Sequence, residues 1–365
     1  MRIKRISIKN FRNYPELDIQ INNDIVVITG PNAVGKTNLL ESVYFASLFK
    51  SFRDDTQFIF LKDHKNMEIK ITIEREGQEH ILEAFLEKRD KVYASFLIDG
   101  VKKKRKDTQG FMRVVIFDPT EVDMFSKTPD HRRKYLNMVL SQKDPQYLEA
   151  LSAHKKILLR KNKLLQDLKA GRSKAEDLKS WNEQLINVGL QIIFGRKKFI
   201  NFLNNGISEI YTTISGFHRP IEVFYKSIEG EAEEEIKQNF AGRLEKMEGR
   251  EIALGTSLVG PHRDDFYLQS DGLFLSPFSS RGELRSQVMA LKIMELEYLS
   301  KKNETPILLL DDVLSELDDT RRTFLLKYLQ GKFQTFITTT HHLEMPAQHI
   351  TLTPVTEKEK EEVES

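Results

Sequence analysis

The 365-residue chain contains no cysteine. That absence excludes a disulfide framework, thiolate metal sites and a cysteine nucleophile, and a reducing, cytoplasmic setting is the expected compartment. No apolar run reaches the roughly 18 residues a transmembrane helix needs, and 30% charged residues are too many for a membrane protein. The opening segment Met1–Tyr14 has charges inside its apolar alternation and no small-residue cleavage site, so no secretory signal is expected. Net charge is only +2, so the chain as a whole is not a basic nucleic-acid binder, and any such surface must be local. There is no internal repeat.

What is present is a long, core-forming chain whose length suggests about two domains. Ile6 and Ile8, then Leu17, Ile19 and Ile21, alternate with polar residues as on half-buried strands. Residues 24–29 form a short continuous apolar run, a strand buried on both faces as in the middle of an α/β sheet. A helix is expected over 38–49 and strands near 68–74, 80–87 and 92–98, the last closed by the turn Asp99-Gly100. Five cations follow at 102–106, then a buried strand at 114–117. From about 130 to 214 the pattern is helical, broken near Asp144-Pro145 and Gly171. Strand patterns return at 221–226 and around 252–259. A helix fits 283–301, a buried strand 307–310, a helix 319–330 and a strand 333–338. The tail 357–365 carries five Glu and two Lys and reads as a solvated end.

Gly30-Pro31-Asn32-Ala33-Val34-Gly35-Lys36-Thr37 matches GxxxxGK[ST], between a buried strand and a helix. Such a loop turns backbone N–H groups toward phosphate oxygens, with the helix dipole behind them. Lys36 is expected to neutralise the β- and γ-phosphates, and the Thr37 hydroxyl to ligate Mg²⁺. Four aliphatic residues then lead into Asp311 and Asp312. Ligands of open α/β sheets bind at the carboxyl edge, so Asp311 is the natural partner of Mg²⁺, through water, and Asp312 is placed to orient the attacking water. Taken alone, both aspartates also suit a strand stop and a helix cap. Asp318 suits an N-cap. His341, just past a strand, is read either as a phosphate sensor or as a surface residue. Ser280 with Glu283 forms a capping box, and the same turn with Gly282 suits an anion site.

A phosphate loop, Ser-Ser-Arg-Gly-Glu opening a helix at 279–283, the acidic strand, Ser315–Asp318 and the strand-end His341, in that order, resemble the ATP-binding-cassette head. Asn10–Tyr14, Ser51–Arg53, Phe117–Pro119 with Arg132 and Arg133, and Gly260–Asp265 bring the chain closer to the RecF family of DNA replication and repair proteins, over residues 1 to about 345. The resemblance implies an α/β P-loop head with mixed sheets, an inserted mainly helical domain and no long coiled coil. The expected division is a head of 1–118 and 251–356, an insertion of 119–250 and a tail of 357–365. It further implies ATP with Mg²⁺, nucleotide contacts from Arg12 and Asn13, and a homodimer in which each ATP lies between the loop of one subunit and Ser280 and Gly282 of the other. DNA, RecO and RecR, and indirectly RecA, are the implied partners, in gap repair and support of the SOS response. Two departures stand out. The cassette Glu after the acidic strand is Asp312, one methylene shorter, which suits a slow ATPase, and no Gln loop follows 114–117.

Other heads fit less well. Long-arm SMC proteins need far more chain between Thr37 and Ser280, a transporter cassette does not explain the strands at 68–98, and a small kinase leaves the Ser280 segment unexplained. For DNA contact, Lys102–Lys106 and Lys155, Lys156, Arg160, Lys161 and Lys163 are candidates. Most such charge runs are simply solvated faces, and each of these is readable as one. No groove-reading motif is present, so DNA binding is expected to be sequence-independent.

Overall fold

The structure, a computed structural model, describes residues 1–53, 58–216, 218–275, 279–302, 304–340, 343 and 345–353. The chain divides into two compact units, one of Met1–Val122 with Glu295–Ser365 and one of Asp123–Met294. The second unit runs past residue 250, the expected end of the insertion, and its end at Met294 falls inside a helix.

The first unit opens with β1 (Arg2–Phe11), β2 (Tyr14–Gln20), β3 (Ile25–Thr29) and α1 (Lys36–Leu48). Then come β4 (Asn66–Arg75), β5 (Gln78–Lys88), β6 (Val92–Ile98), β7 (Val101–Lys103), the short α2 (Arg105–Thr108) and β8 (Val114–Phe117). β2-β1-β4-β5-β6-β7 form an antiparallel sheet. Its register aligns one apolar row, because Ile6 faces both Ile19 and Ile71, Ile71 faces Leu82, and Leu82 faces Ile98. The opposite face carries cross-strand ion pairs such as Arg5–Asp18 and Lys70–Glu83.

The second unit holds α3 (Pro129–Lys143), α4 (Pro145–Lys169), α5 (Leu178–Asn204), α6 (Ile207–Ser215), β9 (Glu222–Lys226), α7 (Glu233–Leu254), β10 (Asp265–Ser270), β11 (Leu273–Phe274) and the start of α8 (Arg281–Leu299). Asp144 caps α4 through Gln146 N at 2.8 Å, with Pro145 in the first turn, which is why the helical pattern breaks there. Ile236, Phe240 and Leu244 of α7 pack on Leu185 and Ile193 of α5. β11-β10-β9 form a small antiparallel sheet.

The strand expected at 252–259 is absent. α7 continues to Leu254, and Gly255 ends it with φ 68°. The alternation of Ile252 and Leu254 misleads because Glu251, buried and paired with Lys161 of α4, fixes the chain. Its carboxylate accepts from Ser257 Oγ at 3.1 Å and Leu258 N at 2.7 Å, and pairs with Lys161 at 2.7 Å. The segment 260–265 is anchored within this unit. Buried Arg196 donates to Asp264 at 2.8 Å and to the Pro261 carbonyl at 2.7 Å, and Arg132 holds Asp265 at 2.6 and 2.8 Å. These anchors group 260–265 with the helices.

After α8 the chain returns to the first unit with β12 (Ile307–Asp311), α9 (Asp319–Leu329), β13 (Thr335–Thr339) and β14 (Gln348–Thr351). These strands complete a wholly parallel sheet of order β14-β3-β13-β12-β8. β12 and β13 are buried throughout, β12 through four consecutive aliphatic residues and β13 with Phe336 and Ile337 among three buried threonines. Thr29, Asp311 and Thr339 end their strands at one edge, where β3 runs into the phosphate loop.

Candidate nucleotide-binding site

The loop between β3 and α1 requires glycine at both ends. Gly30 has φ 151°, and a Cβ there would lie 2.6 Å from the Leu352 carbonyl. Gly35 has φ 116°, and a Cβ would meet Asn13 Nδ2 and the Tyr14 hydroxyl at 2.7 Å. Lys36 is buried, its ammonium donating to the carbonyls of Gly30 at 2.8 Å and Pro31 at 2.9 Å. The cation therefore lies over the loop, a position from which it can turn to phosphate oxygens in place of these carbonyls.

Thr37 opens α1 facing the end of β12. Its hydroxyl donates to Asp311 Oδ1 at 2.9 Å, and the Thr338 hydroxyl from β13 donates to the same oxygen at 2.7 Å. Burial raises the Asp311 carboxyl above the ordinary range, against the pull of the two hydroxyls, and Asp118 and Asp312 add like charge. An under-compensated carboxylate beside a threonine hydroxyl is an oxygen-donor set suited to a hard cation such as Mg²⁺. Asp312 follows in the left-handed region, φ 53°, its carboxylate accepting from Ser315 Oγ at 3.2 Å. His341 lies outside the described residues. Asp318 is the N-cap of α9, accepting from Arg321 N at 2.9 Å.

Arg12 and Asn13, in the turn between β1 and β2, come to the same loop. Asn13 Nδ2 donates to the Val34 carbonyl at 2.8 Å, and Asn38 Nδ2 donates to Asn13 Oδ1 at 2.7 Å. Arg12 reaches Glu41 with two N–H groups, at 2.9 and 2.7 Å, and the Phe58 carbonyl at 2.8 Å. Ser51 Oγ also donates to Glu41, at 2.6 Å, and Arg53 donates to Asn38 at 2.9 Å. Glu41, fully buried, thus ties the 10–14 turn and the 51–53 segment to α1 one turn below the phosphate loop. The sequence pattern did not single out Glu41 or Thr338. The signal for Glu41 is one acid inside the apolar stretch Leu39–Tyr44.

In the second unit, Ser280 and Glu283 form the expected capping box. Ser280 N donates to Glu283 Oε2 at 2.8 Å, and Glu283 N to Ser280 Oγ at 3.3 Å. The backbone N–H of Ser280 holds the Glu283 carboxyl below its usual range. Ser280 is exposed, and Gly282 lies in the first turn of α8. Of the cationic candidates, Lys102, Lys103, Lys104, Lys155, Lys156, Arg160 and Lys163 are exposed. Lys161 is not, being fully buried against Glu251, and it is withdrawn as a DNA contact.

A phosphate loop on the central parallel strands, with an acidic strand end bonded to the loop's threonine, defines a P-loop nucleotide-binding head of the cassette type. The model of the RecF/RecN/SMC N terminal domain matches residues 2–364. The chain is 36% identical over 348 residues to the DNA replication and repair protein RecF of Bacillus cereus (strain G9842), covering 93% of this chain and 92% of that one. A solved structure of the recombination mediator protein RecF with ATP, in the RecFOR pathway, superposes with TM-score 0.90 at 30% identity, over 96% of this chain and 95% of that one. An Smc head bound to the C-winged helix domain of ScpA shares the fold, at TM-score 0.54 and 14% identity over 96% and 94%. The chain belongs to the RecF family of DNA replication and repair proteins.

Proposed function

We propose that this chain is an ATP-driven switch on DNA in recombinational repair and replication-fork maintenance. ATP binds along Gly30–Thr37, with Lys36 on its terminal phosphates and the N–H groups at the start of α1 turned toward them. Asn13 holds the loop through the Val34 carbonyl, and Arg12, fixed by Glu41, completes the wall on that side. Thr37, and Asp311 through water, are the residues that hold Mg²⁺, which neutralises charge on the phosphates when bound. Asp312 orients a water whose oxygen bonds the γ-phosphorus as the bond to the β-phosphate oxygen breaks, giving ADP and inorganic phosphate. His341 is assigned to sensing the γ-phosphate. A short carboxylate in this role suits a weak, DNA-stimulated ATPase.

Ser280 and Gly282 of a second copy close over the γ-phosphate, so ATP joins two chains and hydrolysis separates them. The dimer acts at single-strand gaps and junctions without sequence preference. It assists RecA loading together with RecO and RecR and supports the SOS response, in the cytoplasm. The observation that carries this reading is the Thr37–Asp311–Thr338 contact at the sheet edge beneath the phosphate loop. Lys36→Ala tests it. Equilibrium titration with ATP is expected to show near-complete loss of affinity, and unchanged affinity removes the nucleotide assignment.

A further inference from the structure

We propose that the exposed face of α4 is the surface on which this protein holds the backbone of duplex DNA. The inference rests on the reading that the chain acts on DNA and adds where it does so. Between Glu149 and Asp167 the sequence contains no acid, yet it holds Lys155, Lys156, Arg160, Lys161 and Lys163. Helical spacing sorts them. His154, Ile157, Lys161 and Leu165 are the buried side. Lys155, Lys156, Arg160 and Lys163 lie on the opposite side, around Leu159, which is 64% exposed.

A helix face that merely meets water normally alternates charge at i,i+3 and i,i+4, because like charges at those spacings destabilise it. Here Lys156 and Arg160 are four apart and Arg160 and Lys163 three apart, with the same sign. Lys155 and Lys156 have no ion-pair partner among the described residues. Asp167, the nearest following acid, is already held by Lys163 at 3.4 Å and Arg172 at 2.6 Å. Arg160 lies 5.7 Å over Trp181 of α5, the chain's only tryptophan, which restrains its guanidinium. The helix thus keeps a repulsive cluster that an outside polyanion would relieve.

Duplex DNA fits better than a single strand. Lys155 to Lys163 spans about 12 Å of helix, a length over which duplex DNA presents about seven phosphate charges. A single-strand site needs open aromatic faces for base stacking, and the aromatic ring beside these cations already carries Arg160. The other basic run, Lys102–Lys104, has a sufficient explanation without a ligand. Lys102 and Lys103 belong to β7, an edge strand, where lysine blocks strand addition.

The test is fluorescence anisotropy with a labelled mixed-sequence duplex and with its labelled single strand, with and without ATP, over a KCl series. The wild-type chain sets the slope of log K against log salt. Combined Lys155→Gln, Lys156→Gln and Arg160→Gln is expected to flatten that slope by about 0.9 per lost contact, roughly 2.7 in all. Unfolding temperature and ATP affinity should stay at wild-type values. Combined Lys102→Gln, Lys103→Gln and Lys104→Gln should keep the wild-type slope. A wild-type slope in the α4 protein overturns the assignment, as does loss of slope confined to single-stranded DNA. If the wild-type chain binds no DNA with or without ATP, the DNA reading itself fails, not only the location.

Discussion

Asp311→Asn is expected to make the nucleotide-free protein more stable and the nucleotide-bound protein less so. Asp311 is 8% exposed, and its carboxyl is raised by burial, with Asp118 and Asp312 as added negative neighbours. A carboxyl raised in the fold favours folding while protonated. Its penalty builds as pH climbs from the unfolded carboxylate value through the raised folded one, and is fully present at neutral pH. Asparagine keeps an Oδ1 for the Thr37 and Thr338 hydroxyls and removes the buried charge. A gain of about 1 kcal/mol without ligand is the expected scale. Magnesium and ATP reverse the order. At a hundredfold excess over the dissociation constant they add about 2.7 kcal/mol to the wild-type chain, and little to a chain whose Mg²⁺ carboxylate is an amide. Thermal unfolding at pH 7.5, with and without magnesium and ATP, should give curves that exchange order. If Asp311→Asn unfolds below wild type without ligand, the carboxylate is already compensated inside the protein, and the argument that it awaits a cation is refuted.

Two further outcomes follow from the same geometry. Asp312→Asn should retain ATP but slow hydrolysis, because in the proposed arrangement Thr37 and Asp311 would still hold the metal while the carboxylate assigned to orient the water is gone. Normal turnover in a phosphate-release assay would reduce Asp312 to a turn residue. In the second unit, burial lowers His154 to about 4 and His262 to about 3, their rings 5.5 Å apart. Groups depressed in the fold lose stability as pH falls below the ordinary histidine value of about 6.5. Unfolding monitored through Trp181 should therefore weaken between pH 6.5 and 4, and combined His154→Gln and His262→Gln should flatten that dependence.

The phosphate loop and Asp311 were legible because their chemistry is written locally. A glycine loop after a buried strand, and a carboxylate ending another, each declare a place at the sheet edge before any contact is known. The helical insertion was legible for the same reason, through period and breaks at Asp144-Pro145 and Gly171. What escaped depends on partners distant in sequence. Glu41 matters because Arg12 and Ser51 meet it, and Thr338 because β13 lies beside β12. Lys161 sits in a uniform run of cations and is distinguished only by Glu251, ninety residues later. The same glutamate turned an apparent strand at 252–259 into a helix end. The start of β10 was hidden because Asp265 looks like a loop residue until Arg132 pairs with it.

The most direct test of the central claim is the mass of the protein in solution by sedimentation velocity, with ATP and magnesium, for wild type and Ser280→Arg. Loss of the cap alone costs about 1 kcal/mol and leaves assembly intact. As a contact made to a second copy, Ser280→Arg should leave each chain binding ATP at its own Lys36 while remaining single, whereas wild type becomes a pair. Mixing Ser280→Arg with Lys36→Ala restores one intact composite site and should recover part of the pairing. A Ser280→Arg protein that pairs normally with ATP would contradict the account.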